Sequence, residues 1–351
     1  MHDDRALLHG LVEIPSVSRQ EGDAVEWLVA RMAERGFRAS VDDAGNAVGE
    51  IGTGARHVVL LGHIDTVPGD IPVRIEEGEL VGRGAVDAKG PLAAFVCAAT
   101  AAPPSLRVTV VGAVEEESPT SAGARYRATL PAPDWCVVGE PSGWDGVTVG
   151  YKGRLVLRIT LERTARHGAA PGATVSEEAL AVWAALHSAA EQRGGTGTDR
   201  LDCRLEGMTG GAAGGLAERA ELVVGYRIPT GLSIEELERD VRRITPERAG
   251  DAVVRVTRTG AEEPVRTART SPLARLFARA IATEGGQVAF KSKSGTSDMN
   301  ILAPAWGCPM VAYGPGDSSY DHTPIERLSL ADYDRSIEVL KGVLGGLAAI
   351  P

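Results

Sequence analysis

Cysteine is scarce in this chain. The 351 residues hold four, Cys97, Cys136, Cys203 and Cys308, far apart and without C-x-x-C spacing. This excludes a zinc ribbon or a disulfide framework and leaves them as small buried hydrophobes or free thiols. Long apolar runs are also missing. Hydrophobic residues make up 43% of the sequence, yet no run is long enough to span a bilayer. The N-terminus goes directly into Asp3, Asp4 and Arg5, unlike a secretory signal. A cytoplasmic protein with no membrane attachment is expected. Basic excess is lacking too: 37 Lys and Arg against 47 Asp and Glu leave a net charge of −10. That argues against a general nucleic-acid surface. Arginine is locally dense at Arg154, Arg158, Arg163 and Arg166, and again at Arg255, Arg258, Arg266 and Arg269. Most of these read as solvated strand and loop faces, and the sharper alternative is a docking surface for an acidic partner.

The length exceeds one ordinary core and points to two domains. Residues 3–13 and 23–35 carry helical patterns, with Gly36 as a stop. His57–Leu61, Leu106–Val114, Trp135–Val138 and Pro309–Tyr313 are short apolar runs that read as buried strands. Pro91 to Ala102 is apolar all round and reads as a buried helix. Strands alternating with helices predict an α/β catalytic domain, a mixed sheet with helices on both faces. The middle section differs. Lys152–Leu161, Leu222–Ile228 and Val253–Val256 alternate as half-exposed strands, with helices at Ser176–Ala190 and Ser233–Arg243. Ser233 and Glu236 form a capping-box signal. Gly194–Gly197 and Gly210–Gly215 read as loops. The pattern is that of a smaller α+β lid or dimerisation domain, 151–265, inserted between catalytic segments 1–150 and 266–351.

Metal-type ligands recur where apolar runs end. His63 and Asp65 follow the first buried strand, Asp87 lies in a Gly-rich turn, Glu115, Glu116 and Glu117 follow the second, Glu140 the third, and His322 sits in Asp-His-Thr-Pro. Singly, most have plain explanations: a polar loop for His63 or His322, a helix N-cap for Asp87. Three adjacent acids after Val-Thr-Val-Val-Gly-Ala-Val are harder to explain, because they repel one another unless a cation relieves them. Ligands in an open α/β sheet bind past the carboxyl ends of the strands, so these residues are expected to converge. Two His and several carboxylates suit zinc or another divalent ion in a hydrolytic site.

The ordered series Gly-His-Ile-Asp-Thr-Val-Pro, Gly-Arg-Gly-Ala-Val-Asp-Ala-Lys-Gly, Val-Glu-Glu-Glu-Ser, Gly-Glu-Pro-Ser and Asp-His-Thr-Pro resembles the M20 family of zinc aminoacylases and peptidases. The resemblance covers nearly the whole chain. It implies two divalent metal ions per subunit, with zinc the first choice and cobalt the second. His63 and Glu140 would hold one ion, Glu117 and His322 the other, and Asp87 would bridge them. Asp65 would orient His63, Glu116 would be the general base, and Glu115 would have no catalytic role. His167, in Arg-His-Gly-Ala-Ala-Pro, matches a lid His that reaches the partner's active site in a homodimer. Arg227 matches a substrate-carboxylate arginine, and Lys293, Ser294, Gly295 and Thr296 would line the substrate pocket. Many family members carry Asn in a G-G-x-x-x-N-x-x-P stretch of the lid; Gly210 to Arg219 has neither Asn nor Pro.

Gly-Glu-Pro-Ser-Gly-Trp (139–144), Gly-Tyr-Lys-Gly-Arg (150–154) and Lys-x-Gly-Thr-Ser-Asp-Met-Asn (293–300) resemble a narrower branch. Those enzymes serve lysine and arginine biosynthesis and release lysine or ornithine from the C-terminal γ-glutamyl linkage of a small acidic amino-group carrier protein. The resemblance thus implies amide hydrolysis on that carrier. Deacylation of acetylornithine or succinyl-diaminopimelate, and a non-enzymatic metal-binding interaction protein, are the competing readings.

Overall fold

The computed structural model describes residues 3–167 and 170–350. The chain forms two compact units, Met1–Gly150 with Thr267–Ser292 and Ser297–Pro351, and Tyr151–Arg266 with Lys293–Thr296. Each has its own apolar core. The loop Lys293–Thr296 groups with the second unit, whereas the sequence pattern placed all of 266–351 with the first. Its chain neighbours give no hint of this, because the strand Ala289–Lys293 that leads into it belongs to the larger sheet.

That sheet is mixed. Its strands run in the order Arg38–Val41, Ala47–Ile51, Leu106–Ala113, Arg56–His63, Trp135–Gly139, Met310–Ala312 and Gly146–Tyr151. Arg56–His63 lies between two parallel neighbours, Leu106–Ala113 and Trp135–Gly139. Strands buried on both faces read as continuous apolar runs, as these do. The helix Lys89–Ala99 is buried along its whole length. It packs on the sheet through a row of three glycines: Gly62 pairs in register with Gly112 on one side and Gly139 on the other. A Cβ at these positions would lie 3.3 Å from Leu92, 3.2 Å from Leu92 and 2.9 Å from Phe95 respectively. The glycines therefore let the helix sit close at the carboxyl ends of three strands. One residue further along, the chain delivers His63, Ala113 and Glu140.

The second unit is a four-stranded antiparallel sheet in the order Asp202–Ala213, Ala217–Ile228, Gly153–Thr164 and Val253–Glu262. Helices Val175–Gln192 and Ile234–Ile244 supply much of its core. Ser233 caps the second helix by accepting from the Glu236 amide, while the reciprocal capping box forms at Thr174 and Glu177. The Gly-rich run 210–215 is not simply a loop. Gly210 to Ala213 continue the strand, paired with Ala217 to Ala220, because the backbone ladder overrides the weak strand preference of glycine. No helix among the described residues is long and apolar enough to cross a membrane.

Candidate metal centre

His63 ends its strand with a buried side chain. Its Nδ1 donates to the Asp65 carbonyl at 2.9 Å, which leaves Nε2 turned toward Asp87 Oδ1 at 3.2 Å. The other oxygen of Asp87, Oδ2, lies 3.1 Å from His322 Nε2. One carboxylate thus faces two imidazoles with separate oxygens. His322 Nε2 also meets Glu117 Oε1 at 2.8 Å. Asp87 does not cap the following helix: Ala88 stands at the cap position and no side chain caps it. The Asp87–Ala88 peptide bond is cis.

Two clusters bring potential ligand atoms within 4.8 Å of one another among the described residues: His63, Glu116 and Glu117, and Asp87, Glu117 and His322. Glu140 is buried just past its strand but belongs to neither cluster. It acts on the site electrostatically, as one of the carboxylates that raise the pKa of Glu116.

The three glutamates are separated by their backbone. Glu115 adopts a left-handed φ of 63°, and its side chain meets Arg19 at 3.6 Å and the Ser118 and Thr120 hydroxyls. Its amide donates to buried Glu21. The amides of Glu116 and Glu117 both donate to the Asp65 carboxylate, each at 3.0 Å, and Ser18 Oγ donates to it at 2.7 Å. Asp65 therefore steadies His63 chiefly through its carbonyl, while its carboxylate fixes the turn carrying the two acids. A carboxylate that accepts several such bonds stays ionised even when buried. Burial works against Asp65, but bonds from His63, Ser18 and the Glu117 amide outweigh it and hold its pKa below the ordinary value.

The charges are unbalanced. Burial, then the nearby Glu140, Asp298 and Glu117, push Glu116 well above the ordinary carboxylate range, against the pull of His63. Burial likewise raises Asp298 to about 7, and its Oδ1 is buried without a hydrogen-bond partner. His322 is raised to about 10 by its bonds to Asp87 and Glu117. Burial alone would lower His63, yet Asp65 and Asp87 lift it well above its usual value. Hard oxygen donors with two imidazoles, an orphaned carboxylate oxygen and a shared Asp fit a pair of divalent ions. In the sequence Asp298 is only one position of the Lys-x-Gly-Thr-Ser-Asp-Met-Asn motif; its burial is a property of the folded chain.

The remaining expected site residues lie in the second unit. Arg227 Nη1 donates to Thr296 Oγ1 at 3.4 Å, and burial beside Arg154 lowers the Arg227 pKa. The Lys293 carbonyl accepts from the Lys152 amide at 3.1 Å, and Gly295 borders open space. His167 is exposed; Gly168 and Ala169 of its motif lie outside the described residues. Four of the dense arginines, Arg154, Arg158, Arg163 and Arg258, pair with acids of this unit. Arg163 pairs with Glu178 at 2.7 Å and with Glu218 and Asp251 at 3.0 Å. Arg154 meets Glu262 at 3.6 Å, Arg158 meets Glu221, and Arg258 donates to Glu238 at 2.7 Å.

A mixed α/β sheet that gathers imidazoles and carboxylates past its carboxyl ends defines a metal-dependent hydrolase. The sequence pattern described as Peptidase family M20/M25/M40 matches residues 59–345, and the chain belongs to that family. The chain is 44% identical to LysW-lysine hydrolase of Deinococcus radiodurans over 97% of its length and 96% of that protein. Its fold matches an M20 family metallo-carboxypeptidase from Sulfolobus solfataricus with a TM-score of 0.80, 16% identity and full coverage of both chains. It also matches a dinuclear metal-binding M20 peptidase from Bacillus subtilis with a TM-score of 0.75 and 14% identity, over 99% of this chain and 98% of the other.

Proposed function

We propose that this enzyme hydrolyses the amide that joins the α-amine of lysine to the γ-carboxyl of the C-terminal Glu of a small acidic carrier protein, LysW. The observation that carries the reading is the 44% identity with a LysW-lysine hydrolase across essentially the whole chain, on a site whose Asp87 faces both His63 and His322.

His63 and Glu140 would hold one divalent ion, Glu117 and His322 the other, with Asp87 shared; zinc suits these donors, and cobalt does too. Such ions would polarise the amide carbonyl and acidify water. Glu116 takes the proton from the attacking water and returns it to the leaving α-amine of lysine. Arg227, with Thr296 beside it and Lys293 and Gly295 on the same loop, binds a substrate carboxylate. His167 contributes to oxyanion stabilisation in the partner subunit of a homodimer formed through the second unit. As a biosynthetic enzyme it acts in the cytoplasm.

The test is turnover of the purified chain, loaded with zinc or cobalt, on five substrates: the LysW conjugates of lysine and ornithine, acetyl-lysine, acetylornithine and succinyl-diaminopimelate. Lysine release from its carrier conjugate should exceed hydrolysis of each small amide at least a hundredfold in kcat/KM. Comparable turnover of acetylornithine or succinyl-diaminopimelate would overturn the assignment. Faster ornithine release would move it to arginine synthesis.

A further inference from the structure

Glu326 lies four residues beyond His322 and is completely buried. Its Oε1 accepts from the backbone amides of Val86 and Asp87, at 2.9 and 3.0 Å. Its Oε2 receives Arg83 Nη1 at 2.8 Å, and its carbonyl accepts from the Gly82 amide at 3.2 Å. The chain then runs antiparallel to Glu79–Val81, with Arg327 opposite Val81. The segment that begins at His322 is therefore fastened to the turn that ends at Asp87. A buried carboxylate is costly unless its oxygens are satisfied, and this one is satisfied by that turn. The arrangement repeats the one on the other side of the site, where Asp65 accepts both the Glu116 and Glu117 amides.

We propose that Glu326 is a positioning residue that couples the Asp87 turn to the His322 loop and so sets the spacing of the ligands to the second metal ion. The inference rests on the proposal that Asp87 and His322 hold metal. Its side chain touches neither metal nor substrate and works through the two amides. What matters is then reach: an acceptor oxygen two methylenes from the backbone. Gln keeps that reach and loses the charge; Asp keeps the charge and loses the reach.

The experiment is zinc titration of the metal-free protein against a chromophoric chelator, with the visible spectrum of the cobalt form as a second readout and circular dichroism as the check on folding. Wild type should bind two ions per chain. Glu326→Ala should weaken one of the two sites by about 10–100-fold, the usual loss when a partner behind a ligand is removed, and change the cobalt spectrum. Glu326→Gln should stay closer to wild type than Glu326→Asp in both readouts, a contrast that decides the matter even if Glu326→Ala does not fold. Wild-type affinities in the Ala or Asp variant, or Asp equal to or better than Gln, overturn the role of Glu326. A wild-type chain that binds no metal overturns the metal reading itself, and this inference with it.

Discussion

The two units treat charge in opposite ways. In the second, Arg163 is surrounded by Glu178, Glu218 and Asp251, and Arg258 bonds to Glu238. Positive and negative groups there largely answer one another within the unit. In the first, Asp87, Glu116 and Glu117 gather around two imidazoles, and Glu140 and Asp298 add negative charge nearby. The turns that carry Asp87, Glu116 and Glu117 are held by their own backbone amides, which donate to the buried carboxylates of Glu326 and Asp65 and leave the surplus acids of the site uncancelled. Locally balanced charge marks a structural role, and uncancelled charge held rigidly marks a place for a cation.

Perturbing the surplus should have the largest effect. Asp87→Ala removes the carboxylate that faces both imidazoles and should cost essentially all turnover together with metal binding, measured by metal analysis and kcat. A variant with two ions and a normal rate would show that Asp87 bridges nothing. Glu116→Gln should lower kcat by about 10³-fold, within the usual range for a general acid–base group, while metal content stays near that of wild type. Retained activity there would move the base elsewhere.

The balanced unit should respond in stability instead. Arg163→Met leaves the buried Glu178 carboxylate without its partner and should destabilise the protein by about 3 kcal/mol in chemical denaturation, with metal stoichiometry unchanged. A loss of metal in that variant would break the contrast between the units.

The smallest effect lies at the entrance to the central strand. Burial and then Arg107 lower His57 to about 4, against 6.5 in an unfolded chain. The folded state thus prefers neutral His57. Its contribution is fully present above pH 6.5 and is lost as pH falls toward 4. With part of the ring open to solvent, the loss is about 1–2 kcal/mol. His57→Asn should therefore show a shallower decline in stability over that window than wild type.

Much of this was legible before the fold. Apolar runs ending at Leu61, Val114 and Val138 announced where ligands emerge, because apolar runs of that length have few other uses and the polar residues after each must be compensated. The family motifs then divided Glu115 from Glu116 and Glu117, and the left-handed turn at Glu115 shows how the backbone separates their side chains. Glu326 stayed hidden. Its bonds reach residues some 240 positions away, and nothing in Pro-Ile-Glu-Arg reveals an acceptor for distant amides. The grouping of Lys293–Thr296 with the second unit was hidden for the same reason.

The sequence alone determined which residue types stand at the strand ends and that they suit a divalent metal, since hydrophobic pattern and donor chemistry are local properties. Only the tertiary structure decided that one carboxylate faces both imidazoles, that buried Asp65 and Glu326 hold the turns beneath the ligands, and that Arg154, Arg158, Arg163 and Arg258 pair with acids of their own unit. Those are relations between distant segments, fixed by packing and by the need of buried polar groups for partners.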